Sequence, residues 1–281
     1  MILPGSASQS LAARLAAETD HALAAVEFDR FADGELIARA DLDGDHAVVV
    51  AATDSSDAFV QLLQLQDLAR RQVDRVTTVL PYMGYARQDK QFKPGDPVSA
   101  EAMARAISTG TDRVVTVTPH EPGVLEFFDV PSEAVDASAA LADPLPAALA
   151  DPLFLAPDAS ARGFAESVRD AYGAGDVDHF EKVRDYDTGD VSHTPSETDA
   201  TGRDCVVVDD IIATGSTMSG AIGHLREDGV SRVFATCVHP MLAADARTKL
   251  ARAGVEDVFG TDTIERSVSS VSVAPLVADV L

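Results

Sequence analysis

The stretch Cys205-Val-Val-Val-Asp-Asp-Ile-Ile-Ala-Thr-Gly-Ser-Thr217 decides the fold. A short β-branched run ends in two carboxylates, Asp209 and Asp210, and four residues later Thr214-Gly215-Ser216-Thr217 opens a helical pattern over Thr217–Asp228. A strand that passes through a polar turn into a helix is half of a βαβ unit. Gly215 removes the Cβ that would keep backbone amides from facing an anion. The hydroxyls of Thr214, Ser216 and Thr217 add donors, and the helix N-terminus adds partial positive charge. One end of the segment suits a phosphate and the other suits hydroxyls or Mg²⁺. Together they can grip a sugar phosphate.

Working outward, the same alternation runs along the chain. Strands are expected at His46–Ala51, Arg75–Leu80, Arg113–Thr118, Leu153–Ala156, Cys205–Val208, Arg232–Val238 and Val255–Phe259. Helices are expected at Ser55–Val73, Ser99–Ser108, Ala137–Ala150, Ala159–Tyr172, Thr217–Asp228 and Ala243–Ala253, where apolar residues recur three and four apart. This pattern predicts an α/β fold with mainly parallel sheets flanked by helices, and ligands beyond the carboxyl ends of the strands. The Ala- and Pro-rich LADPLPAALADP near residues 140–152 marks a domain boundary, giving domains 1–141 and 142–281. Tyr186–Asp204 is polar, acidic and turn-rich, and reads as a long loop: a linker, a disordered stretch or a functional lid.

Composition narrows the partners. The 281 residues are 46% hydrophobic and 24% charged, as in a globular chain, but 46 Asp and Glu face only 22 Lys and Arg, for a net charge of −24. That excludes a basic nucleic-acid binder, which needs clustered cations against phosphates. Of the cations only Lys90, Lys93, Lys182 and Lys249 are lysines. So acidic and lysine-poor a chain repels itself in dilute buffer and is screened in molar salt, which points to a salt-rich cytoplasm. Cys205 and Cys237 each lie in an apolar run and read as small buried hydrophobes. With no basic-then-apolar start and no apolar run long enough to span a bilayer, a soluble cytoplasmic chain without membrane contact is expected.

The segment around Asp209 resembles the phosphoribosyl-diphosphate loop shared by type I phosphoribosyltransferases and ribose-phosphate diphosphokinases. In that resemblance Asp209 and Asp210 hold the ribose hydroxyls, while Thr214, Gly215, Ser216 and Thr217 hold the 5-phosphate. The first half selects the diphosphokinases. Phe31-Ala32-Asp33-Gly34-Glu35 resembles their FxDGE segment, and Tyr85-Ala86-Arg87-Gln88-Asp89-Lys90 their YxRQDK segment. An Arg fork matches phosphate oxygens or stacks on a base, and an aromatic ring beside carboxylates suits adenine. The resemblance therefore assigns Arg87, Gln88, Asp89 and Lys90 to ATP, with Phe31, Asp33 and Glu35 reaching adenine from a neighbouring subunit. His120, in Thr118-Pro119-His120 ahead of Phe127-Phe128, is similar to the family's DxH…FF segment, although Thr118 stands where the family has aspartate. It would contact ATP phosphates or the metal. Asp158 occupies the aspartate of the PDxGG segment and would hold Mg²⁺ or a ribose hydroxyl, with Ser160 and Ala161 in place of glycines. Glu181-Lys182-Val183-Arg184 resembles the K-x-R catalytic loop, making Lys182 and Arg184 the catalytic cations. Residues two apart in an extended arm face one side, so both could meet one phosphoryl group, and the loop of about 180–203 is expected to close over the phosphates.

The resemblance implies two phosphoribosyltransferase-like α/β domains, an N-terminal one for ATP and a C-terminal one for ribose 5-phosphate, with the last residues packing back on the first. It implies diphosphoryl transfer from ATP to O1 of ribose 5-phosphate for nucleotide biosynthesis, Mg²⁺ as cofactor, and a homo-oligomer of two or more copies. The cluster RQDK–KQFKPGDP is nearer the archaeal branch. The alternatives are a phosphoribosyltransferase, which has no use for an ATP site, and an inactive regulatory paralogue, which has no need of Lys182, Arg184, Asp209 and His120.

Overall fold

The protein is described by a computed structural model over residues 1–184, 191–195 and 198–281, with the backbone alone for 181–184 and 191–195. The chain divides into two compact units. One comprises Met1–Asp136, Asp262–Glu265 and Ser272–Leu281; the other comprises Ala137–Thr261 and Arg266–Val271.

The first unit runs β1 (Ile2–Pro4), α1 (Gln9–Glu18), β2 (Glu27–Arg30), β3 (Leu36–Arg39), β4 (His46–Val50), α2 (Ser56–Arg70), β5 (Arg75–Leu80), α3 (Ser99–Ser108), β6 (Arg113–Val117) and β7 (Ser132–Val135). Five strands form a wholly parallel sheet in the order β1-β4-β5-β6-β7. All five residues of β4 are buried, which is why HAVVV is apolar without alternation: helices cover both faces of such a sheet. Helix α2 begins where the Ser55 hydroxyl accepts the Ala58 N–H at 3.2 Å, and sends Leu62, Leu65 and Ala69 into the core. The β2–β3 hairpin stands apart as a two-stranded sheet packed on α2.

The second unit runs β8 (Leu153–Ala156), α4 (Arg162–Tyr172), β9 (Asp176–Arg184), β10 (Val191–Pro195), β11 (Asp204–Ile211), α5 (Ser216–Glu227), β12 (Arg232–His239), α6 (Ala246–Ala253), β13 (Asp257–Thr261) and β14 (Ser269–Val271). Its sheet has the order β10-β9-β8-β11-β12-β13-β14, and only the β9–β10 pair is antiparallel. The core gathers Leu153, Leu155, Val207, Ile222, Leu225 and Val233. Cys205 and Cys237 are buried in it, and burial pushes the Cys205 thiol up to about 12 and Cys237 higher still, so neither is a nucleophile.

A last helix, α7 (Ala274–Ala278), belongs to the first unit and packs on α1. The crossing segment seals the same helix. Glu265 Oε1 accepts the N–H groups of Ser10 and Leu11 at 2.6 and 3.0 Å, and buried Asp262 pairs with Arg14 at 3.3 Å. A carboxylate there satisfies two first-turn donors and opposes the positive end of the helix.

The α/β class expected from the alternation is the one observed, with two corrections. Ala137–Ala150 is not an α-helix: a single 3₁₀ turn at Ala139–Ala142 gives way to turns, because Pro144 and Pro146 lack the N–H and the φ/ψ freedom to continue it. Tyr186–Asp204 is not one loop, since it contains β10, paired antiparallel with β9.

Candidate functional site

In the second unit the end of β11 delivers Asp209 and Asp210 side by side, Asp210 buried and Asp209 partly so. The Asp210 N–H donates to Asp209 Oδ1 at 2.9 Å. Burial first, then repulsion from Asp210 and Asp158, pushes the Asp209 carboxyl well above the usual carboxylate range. Asp158, after β8, is thus near enough for its charge to act on Asp209. Its Oδ1 accepts the backbone N–H of Ser160 and Ala161 at 3.0 and 3.3 Å and the Ser160 hydroxyl at 2.5 Å. Gly215 has φ of +71°, which an L side chain rarely adopts, and α5 starts directly after it. The loop is docked rather than loose: Leu242 and Ala243 N–H donate to the carbonyls of Ile212 and Ala213, both at 2.9 Å. Thr214 Oγ1 and Ser216 Oγ lie 3.3 Å apart at the exposed mouth.

In the first unit the loops after β4, β5 and β6 share the carboxyl edge of the sheet. The segment carrying Arg87, Gln88, Asp89 and Lys90 is anchored through Gly84, whose N–H donates to Thr53 Oγ1 at 2.8 Å; Thr53 N–H in turn donates to the Tyr82 carbonyl at 2.9 Å. A Cβ on Gly84 would lie 2.1 Å from the Thr53 carbonyl oxygen, so only glycine allows this approach. Gln88 is tied at both ends, its N–H to the Tyr85 carbonyl and its carbonyl to the Ala100 N–H. Lys90 lies 3.7 Å from Asp89 and 5.6 Å from the centre of the Phe92 ring. His120 is exposed two residues beyond buried Thr118, whose φ of +38° is unusual for a β-branched residue and whose N–H donates to the Val135 carbonyl at 2.8 Å. Phe31, Asp33 and Glu35 form the exposed tip of the β2–β3 hairpin. Arg30 fastens that tip to the first turn of α2 through Asp57 at 2.6 Å.

The structure thus gathers Arg87, Gln88, Asp89, Lys90 and His120 on one edge of the first unit, and Asp158, Asp209, Asp210 and Thr214–Thr217 on one edge of the second. Lys182 and Arg184 lie on β9 with their backbones opposite His193 and Val191, and their side chains fall outside the described residues. Sequence reasoning missed Thr53, although its place just after the buried strand HAVVV was a usable signal.

Residues 1–110 match the N-terminal domain of ribose phosphate pyrophosphokinase, and residues 141–275 match the phosphoribosyl transferase domain. A ribose-phosphate pyrophosphokinase of Halobacterium salinarum is 60% identical over 284 aligned residues, spanning 100% of both chains. One from Methanosarcina mazei is 43% identical over 100% of this chain and 94% of its own. The chain belongs to the ribose-phosphate pyrophosphokinase family. The crystal structure of phosphoribosylpyrophosphate synthetase from Mycobacterium smegmatis agrees with this, at a TM-score of 0.82 and 30% identity over 100% of this chain and 96% of that one. The chain is therefore an enzyme of the ribose-phosphate pyrophosphokinase family, with its two phosphoribosyltransferase-type units. Where that family's pattern was expected to carry glycine, Ser160 instead gives its hydroxyl to Asp158, so the side chain helps orient the carboxylate. Among the described residues no group of three or more His, Cys, Asp or Glu is arranged to hold a metal ion, and no helix is long and apolar enough to cross a membrane.

Proposed function

We propose that ATP binds the first unit and ribose 5-phosphate the second, and that the β,γ-diphosphoryl group passes to O1 of the sugar, giving 5-phosphoribosyl 1-diphosphate and AMP. The observation that carries this reading is the end of β11. There a carboxylate pair is followed, four residues on, by a glycine-opened hydroxyl loop at the start of α5, an order that suits a sugar phosphate. Asp209 and Asp210 would accept the ribose hydroxyls, while Ser216 and Thr217 at the start of α5 would donate to the 5-phosphate. In the first unit Arg87 and Gln88 would hold the ATP phosphates, with Asp89, Lys90 and His120 beside them. The half-exposed Phe31 ring, with Asp33 and Glu35, would meet adenine in a neighbouring copy, which makes the active form a dimer or larger.

The aspartates after β8 and β11 would suit Mg²⁺, because a cation offsets both the burial of Asp209 and its repulsion from Asp210 and Asp158. Mg²⁺ takes one or two carboxylates and fills its other positions with phosphate oxygens and water, so Asp158, alone or with one further aspartate, would be enough protein ligand. His120 is assigned to the metal or the ATP phosphates on the DxH resemblance. When bound, Mg²⁺ neutralises phosphate charge. The protein's own part is positioning: diphosphoryl transfer rests on alignment and charge neutralisation. Lys182 and Arg184 are assigned that neutralisation on the K-x-R resemblance.

Incubation with Mg-ATP and ribose 5-phosphate in molar KCl tests the reading, with products identified by ³¹P NMR. AMP and the diphosphorylated sugar should appear together; ATP left intact, or cut to ADP, rejects it. Lys182→Ala should lower kcat by on the order of 10²–10³ with KM little changed, because a charge placed for the transition state affects turnover first.

A further inference from the structure

We propose that Lys249, on α6, is the cation that recognises the 5-phosphate and sets the preference for a phosphorylated sugar. The inference deepens the reading of Thr214–Thr217 as the phosphate loop and rests on it.

The loop offers a phosphate only neutral donors. Hydroxyls and backbone amides supply directionality, yet acidic residues stand nearby: Asp209 and Asp210 precede the loop in the chain, and Asp245 pairs with Lys249 beside it. A phosphate monoester carries up to two negative charges, so a cation beside the loop would strengthen its binding. The structure places one there. Lys249 Nζ is 3.4 Å from the Thr214 carbonyl and 3.5 Å from Ser216 Oγ, and pairs with Asp245 Oδ1 at 3.0 Å. The hydrogen bond from Lys249 is also the main reason the Asp245 carboxyl is held below its ordinary range. The two contacts to the loop are long, and phosphate oxygens would replace them at shorter range.

The position of Lys249 is fixed by the fold. Buried Ala246, in the first turn of α6, is where a Cβ on Gly215 would meet its nearest atoms, at 3.4 Å, and the Leu242 and Ala243 hydrogen bonds tie the preceding turn to the loop. Lys249 lies three residues after Ala246, on the next turn of the same helix. A second observation comes from composition. Eighteen of the 22 cations are arginine, and of the four lysines Lys90 and Lys182 fall in segments already tied to ATP or to transfer, with Lys93 three residues past the first. Lys249 is the fourth. In a chain that otherwise uses arginine for positive charge, a compact ammonium beside the loop fits a phosphate that the hydroxyls already orient.

Lys249→Met keeps the stem and removes the charge. The KM for ribose 5-phosphate should rise about ten- to a hundredfold, the loss expected for one charge-assisted contact. The KM for ATP, kcat and the melting temperature should hardly move. Lys249→Arg should fall between the two. Inorganic phosphate, titrated without substrates, should raise the melting temperature of the parent protein more than that of Lys249→Met. Thr217→Val, made in parallel, reports on the loop itself. If Thr217→Val raises the ribose 5-phosphate KM and Lys249→Met does not, the role of Lys249 is overturned while the loop reading stands. If neither changes it, the loop reading falls and takes the proposal with it. If Lys249→Met weakens ATP equally, or melts early, the residue is structural and the proposal is rejected.

Discussion

The Asp209 carboxyl is held well above its ordinary range by burial and by the neighbouring Asp210 and Asp158. In the unfolded chain it loses its proton first as pH rises, so the folded state is progressively penalised above the usual carboxylate range. Asp209→Asn should therefore raise the melting temperature at pH 7, while the use of ribose 5-phosphate falls on the order of 10- to 100-fold for loss of an anionic acceptor. Thermal melts and steady-state kinetics on one preparation check both signs. His46 behaves in the opposite sense, away from the site. Its Nδ1 faces the Arg75 guanidinium at 3.1 Å; arginine can only donate, so Nδ1 accepts and Nε2–H donates to Thr77 at 2.9 Å. Burial, then Arg75 and His21, lowers its pKa to about 4, and His21 is lowered as well. Neutral imidazole is the folded form, so stability is lost as pH falls from about 6.5 towards 4, by up to roughly 3 kcal/mol for His46. The melting temperature of His46→Gln should change less between pH 7 and pH 5 than that of the parent.

The loops after β4 and β5 act as one piece because Gly84 lies against Thr53. Gly84→Ala forces that pair apart and moves the segment bearing Arg87 and Gln88. The KM for ATP should rise about ten- to a hundredfold, as for a binding group displaced by an ångström or so, with ribose 5-phosphate binding measured by calorimetry unchanged. This clamp also shows what the sequence carries at the level of elements. Buried strands such as β4 and β5 were legible, because parallel strands covered on both faces are unbroken apolar runs. So was Asp209 through Thr217, since strand, carboxylates and glycine follow one another directly. β2 and β3 were not. Their residues are exposed or half-buried, and their reason for pairing is the face of α2 beneath them. The failed helix at Ala137–Ala150 had the right periodicity and the wrong prolines. The place of Thr53 after a buried strand was legible, but its contact with Gly84, like that of Lys249 with Thr214 and Ser216, was not, because each spans a long sequence separation.

At the scale of the whole molecule, charge outweighs every other property of the surface. A net of −24 on 281 residues opposes compaction, and the Debye length shrinks from about 10 Å at 0.1 M salt to about 3 Å at 1 M. The melting temperature and the cooperativity of unfolding should both increase between 0.1 M and molar KCl, as followed by circular dichroism; a flat or falling midpoint would contradict the charge argument. Composition announced this property plainly, whereas the path of the chain between the units was hidden, because Glu265 and α7 carry no signal that they serve α1. That path has a consequence for how the protein is made. Residues 9–18 leave the ribosome before the second unit, yet the groups that complete their surroundings, Asp262, Glu265 and α7, emerge only after nearly all of it. The unit begun first is thus finished last. A nascent chain interrupted between residues 136 and 273 is left with the side of α1 that α7 would cover open to solvent.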